Sequence, residues 1–172
     1  MVEGLKECIR SVPDFPKKGI LFRDITPALL DPAVFGKISD FLYDRYSGSD
    51  IDKIAAIESR GFIFASVLAY RLKKGFIPLR KTGKLPWKKI TETYELEYGQ
   101  AALEMHIDAV ASGDNVLIVD DLLATGGTAR AAANLIERMG GRIEELMFVI
   151  ELTELVGREK LKGRKIFSML SF

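Results

Sequence analysis

The sequence predicts an α/β domain with a mostly parallel central sheet flanked by helices and a β-hairpin inserted within it. Three observations carry that expectation. Short apolar runs alternate with segments whose apolar residues recur at helical spacing, the rhythm of parallel strands joined by crossover helices. The stretch "KITETYELEYGQAALEMHID" instead alternates polar and apolar residues on both sides of Tyr98-Gly99-Gln100, as an antiparallel hairpin does. The run "VLIVDDLLATGGTA" joins an apolar strand to a helix through a glycine-rich turn.

In chain order, "GLKECIRSV" places Leu5, Cys8, Ile9 and Val12 on one face and predicts a short helix ending before Pro13. The proline-punctuated "PDFPKKGILFRDITPALLDP" reads as an ordered loop or short strand. Phe35, Ile38, Phe41 and Leu42 then mark a helix from Ala33 to about Tyr46, after an Asp31-Pro32 start. Strands are expected at Ile54 to Ile57, Phe76 to Leu79, Val116 to Val119 and Leu146 to Ile150, each apolar enough to be buried on both faces. "GFIFASVLAYRLKK" and "TARAAANLIERM" supply helices, and "GRKIFSML" a further strand. With no repeat and no long linker, residues 1–172 read as one domain. The hairpin, about 81–107, sits at a strand's end and is a candidate flexible lid.

Composition narrows the function. A chain of 172 residues with 48% hydrophobic and 28% charged side chains suits a single core. Its 25 basic residues nearly balance 24 acidic ones, which argues against a broad nucleic-acid or membrane surface. Cys8 is the one cysteine, so neither a disulfide framework nor a cysteine zinc site is expected. No apolar run approaches a membrane span, and "MVEGLKECIRSV" lacks the form of a signal peptide, so the expected location is the cytoplasm.

The chemistry concentrates after Val119. Gly126 and Gly127 leave room for a ligand and permit positive φ, so backbone N–H groups can converge on an anion at a helix N-terminus, with Thr125 and Thr128 adding hydroxyls. No lysine follows the glycines and no G-x-G-x-x-G occurs, which removes the main support for a nucleoside triphosphate or a dinucleotide. Asp120 and Asp121 stand directly before this cradle, where a phosphate repels them. One acid alone reads best as a turn cap. Two make sense if the ligand also offers sugar hydroxyls or brings a divalent cation.

"VLIVDDLLATGGT" resembles the 5-phosphoribosyl 1-diphosphate (PRPP) motif of type I phosphoribosyltransferases, in the form found in the adenine-using members. "PDFPKKGILFRDITPALLDP", "IESRGFIFA", "PLRKTGKLP", "YELEYGQAALEMH" and "ELTELVGREKL" agree in order, so the resemblance covers nearly the whole chain. It implies transfer of the phosphoribosyl group from PRPP to adenine with Mg2+ held mainly through PRPP, no dedicated protein metal ligands, and a homodimer. By the same match Ala124, Thr125, Gly126, Gly127 and Thr128 hold the 5-phosphate, while Asp120 and Asp121 bind the ribose hydroxyls. Ser59, Arg60, Arg80, Lys81 and Lys84 would face the diphosphate. Residues 1–32 would form a hood that selects the base, with Leu21, Phe22, Arg23, Arg60 and Leu152 around the purine.

The resemblance also points to Glu97 as the acid-base residue, with Arg60, Asp120 and Asp121 completing the catalytic set. Pattern alone does not separate Glu97 from Glu92, Glu95 and Glu104, and from periodicity Phe22 and Leu152 read equally as core. His106 reads as a satisfied strand histidine outside the site. Transfer to another purine and a non-catalytic PRPP-sensing protein are the alternatives.

Overall fold

Seven strands form the main sheet, in the order β5-β6-β4-β3-β7-β8-β9. The computed structural model describes residues 4–95 and 99–172. The chain divides between Arg45 and Tyr46 into two compact units.

The N-terminal unit departs from expectation at its start. Instead of one helix, Lys6–Cys8 form a single 3-10 turn and β1 (Arg10–Pro13) pairs antiparallel with β2 (Leu21–Asp24). Proline at position 13 drives Val12 toward extended backbone, and pairing with β2 supplies hydrogen bonds that a two-turn helix would not. Leu5 and Ile9 are buried nonetheless, so the apolar face was real and its period misread. Two helices follow, α1 (Thr26–Leu30) and α2 (Pro32–Tyr46). The Asp31 carboxylate accepts from Ala33 N–H at 2.8 Å and Pro32 occupies the first turn, so α2 starts where its cap dictates.

The second unit contains the sheet. β3 (Lys53–Ile57), β4 (Gly75–Lys81), β7 (Asn115–Leu123), β8 (Arg142–Glu151) and β9 (Ile166–Ser171) run parallel. Helices α3 (Gly61–Leu72) and α4 (Gly127–Arg138) make crossovers between them. On one face Ala55, Ile57, Val116, Ile118, Leu146 and Phe148 pack with the alanine-rich side of α4. Their neighbours Ile54, Ala56, Leu117 and Val119 are buried too, as strands covered on both faces must be, and α3 packs against β3 and β7.

The hairpin is present as β5 (Lys89–Glu95) and β6 (Gln100–His106). It is inserted in sequence between two parallel strands but lies in space at the sheet's edge, because β6 pairs antiparallel with β4 through Arg80 and Lys81. Strand β7 runs farther than its apolar stretch: Asp120 pairs with Phe148 and Leu123 with Glu151. The two acids are therefore strand residues, with less freedom than a loop would give them.

Candidate functional site

A cleft of about 540 Å³ opens at the carboxyl ends of β3 and β7, where open α/β sheets bind ligands. Of the expected residues it gathers Ser59, Arg60, Lys81, Asp120, Asp121 and the whole turn from Ala124 to Thr128.

The turn is fixed by backbone contacts. Gly126 has φ 77° and begins α4 with no side-chain cap, leaving the helix N-terminus to face the cleft. A Cβ on Gly126 would collide with the Gly157 carbonyl, and one on Gly157 with the Ala124 carbonyl. Gly127 approaches the Glu95 carbonyl, so β5 also lies against this turn. Gly157 was not foreseen. Its need for glycine arises from a turn some thirty residues earlier, and no local pattern announces it. Two further links hold the same corner: Leu152 N–H donates to the Leu123 carbonyl at 2.9 Å, and Arg158 grips Glu151 through two hydrogen bonds of 2.7 Å. The bond from Arg158 holds the Glu151 carboxyl below its usual range despite burial.

The acid pair is held as closely. Asp121 N–H donates to Asp120 Oδ1 at 2.9 Å, and Arg60 Nε lies 2.6 Å from Asp121 Oδ2. Gly61 permits this approach, because a Cβ there would stand 2.9 Å from Asp120 Oδ1 and from the Val119 carbonyl. Burial pushes the Asp120 carboxyl well above the usual range, and the Asp121 charge pushes it the same way. Burial raises Asp121 as well, with Arg60 opposing.

On the opposite wall, Glu58 takes Arg80 Nε at 2.7 Å and Lys84 Nζ at 3.0 Å, although its side chain is only 6% exposed. Burial disfavours its charge, yet these two bonds outweigh it and lower its pKa. Arg80 and Lys84 are thus drawn to a carboxylate the sequence reading passed over, while Lys81 lines the cleft. The Glu58–Ser59 peptide is cis.

The hairpin glutamates separate by their partners. Glu92 accepts from Asn134 and Arg138 on α4, each at 2.8 Å, while Glu104 is buried beside Lys89. Glu95 is exposed, and Glu97 lies outside the described residues. His106 makes a hydrogen bond of 2.7 Å with the Pro86 carbonyl. Leu152 is half-buried at the end of β8. In the N-terminal unit, Leu21 is exposed, Phe22 packs edge-to-face on Phe15 with centroids 5.1 Å apart, and Arg23 donates to Ser11.

A family model described as the phosphoribosyl transferase domain matches residues 27–166. The chain is 52% identical to an adenine phosphoribosyltransferase of Anaeromyxobacter dehalogenans, with all of both chains covered. A crystal structure of adenine phosphoribosyltransferase from Thermoanaerobacter pseudethanolicus superposes with a TM-score of 0.96 at 52% identity, covering 100% of each chain. The enzyme from Saccharomyces cerevisiae, complexed with an imino-altritol bisphosphate and adenine, gives 0.92 at 42% identity over 98% of each.

Two predictions follow from this geometry. Gly157→Ala should displace the turn and weaken inorganic phosphate binding about tenfold by calorimetry, and unchanged affinity would show that the backbone contact does not matter. A carboxyl whose folded pKa lies above its unfolded value of 3.8 binds extra protons when folded, so its contribution to stability is lost as pH rises through the folded pKa. Asp120→Asn should therefore match the free wild type in urea unfolding near about pH 4 and become the more stable of the two toward about pH 8. A gap independent of pH would contradict this.

Proposed function

The chain belongs to the phosphoribosyltransferase family, among the adenine phosphoribosyltransferases, and from that membership we infer that it transfers the 5-phosphoribosyl group of PRPP to N9 of adenine, giving AMP and pyrophosphate. The observation that carries the reading is the acid pair, Asp121 buried and Asp120 half-buried, beside an uncapped helix N-terminus in one cleft.

In this reading the N–H groups of Gly126 to Thr128, with the hydroxyls of Thr125 and Thr128, bind the 5-phosphate. The ribose hydroxyls donate to Asp120 and Asp121, so the acids meet donors rather than phosphate. As the bond from C1 to the diphosphate oxygen breaks and the N9–C1 bond forms, positive charge grows on the ribose, and the two carboxylates stabilise it. Arg60, paired with Asp121 in the free chain, stands where it can turn to the departing diphosphate, alongside Ser59, Arg80, Lys81 and Lys84. Glu97 takes the role the resemblance gives it, accepting the proton that N9 loses. Leu152 and the Leu21 to Arg23 strand are assigned to the base, where backbone groups tell a 6-amino from a 6-oxo purine.

Carboxylate oxygens are the donors Mg2+ prefers, so Asp120 and Asp121 suit it chemically. The cation would be held mainly through PRPP and water, with Asp120 and Asp121 as the carboxylates that suit it. When bound with PRPP, the cation offsets the charge of the leaving diphosphate. We place the reaction in the cytoplasm, in purine salvage, and carried out by a homodimer.

The test is product analysis with PRPP, Mg2+ and equal adenine, hypoxanthine, guanine and xanthine. AMP with pyrophosphate is the expected product. Another nucleotide would overturn the base assignment, and PRPP binding without turnover would make the protein a sensor. Asp120→Asn and Asp121→Asn should each lower kcat about a hundredfold or more, and an unchanged kcat would remove the acids from the mechanism.

A further inference from the structure

We propose that Glu104 is a positioning residue that shapes the diphosphate half of the site from the root of the hairpin. The proposal rests on reading the turn from Arg80 to Lys84 as the diphosphate site. Leu103 and Met105 belong to the core cluster with α4, so Glu104 between them points to the opposite face of β6. There it is 3% exposed, among the most buried carboxylates of the described residues.

One oxygen, Oε2, does two things. It accepts from Gly83 N–H at 3.0 Å and from Lys89 Nζ at 2.8 Å, while Lys89 Nζ also donates to the Leu85 carbonyl at 3.1 Å. Gly83 has φ 82°, and Lys84 N–H bonds back to the Lys81 carbonyl at 3.3 Å, so Glu104 holds the third residue of a tight turn. That turn sends Lys81 to the cleft and Lys84 to Glu58. It is gripped from below by Glu104 through its backbone and from the side by Glu58 through its side chains.

Stability gives no sufficient reason for such a pair. Desolvating two charges offsets much of their attraction, and an apolar pair of similar volume often serves as well. What the apolar pair cannot do is accept the Gly83 N–H and fix the turn. Glu104 would therefore set how Lys81 and Lys84 are presented to a diphosphate, with no part in holding the 5-phosphate.

Glu104→Met, alone and combined with Lys89→Met, removes the acceptor for the Gly83 N–H and tests this with inorganic pyrophosphate and AMP as separate probes, each titrated by calorimetry, together with the KM for PRPP. Both variants should weaken pyrophosphate and raise the PRPP KM about tenfold, with AMP affinity within about twofold of wild type. Parallel loss of both ligands, or loss of neither, would overturn the proposal. If Glu104→Met alone does not fold, the double variant with Lys89→Met, an apolar pair of similar volume, decides by the same comparison. Wild-type protein that binds AMP but not pyrophosphate would instead overturn the diphosphate reading, and this proposal with it.

Discussion

Two carboxylates fixed side by side on a buried strand are the constraint on which the rest of the site depends. Asp121 is buried and Asp120 half-buried, and each is held toward its protonated form. Arg60 supplies the nearest compensating charge, and Gly61 lets α3 begin close enough to Asp120 to enclose it. Such a site is unfavourable when empty and improves when a ligand brings hydroxyl donors and positive charge. In the proposed function that asymmetry would favour a reacting ribose over a resting one, which is how binding becomes catalysis.

Around this centre, the parts that line the cleft are held by side chains and backbone behind them. The glycine turn rests on Gly157, and the end of β8 is clasped by Arg158 and Glu151. The basic turn after β4 is held by Glu58 and Glu104. Glu92 ties β5 to the far half of α4, the same helix whose N-terminus faces the cleft. The base of the hairpin is thereby anchored to the sheet and the helix.

Much of this was legible in the sequence where the signal is local. Apolar runs located the parallel strands, alternation located the hairpin, and "DDLLATGGT" located the cleft. The first helix differs from expectation because four such positions within about two turns, Leu5, Cys8, Ile9 and Val12, fit a helix and a turn-strand pair equally, and the pairing that decides involves the separate strand β2. Gly157, Glu58 and Glu104 were missed for the same reason. Each acts through a partner distant in sequence, and a glycine or glutamate carries no mark of such a partner. Glu92 and Glu104 could be told from the exposed Glu95 only once their cations were in place.

The central claim is that the acid pair stabilises positive charge on the ribose. It is tested most directly by the dissociation constants of two ribose 5-phosphate mimics, one with a protonated ring nitrogen and one a neutral carbocycle, in the wild type and in Asp120→Asn. The account predicts that the wild type prefers the cationic mimic by about tenfold or more and that the variant loses the preference. Equal affinity of the wild type for the two mimics would contradict it.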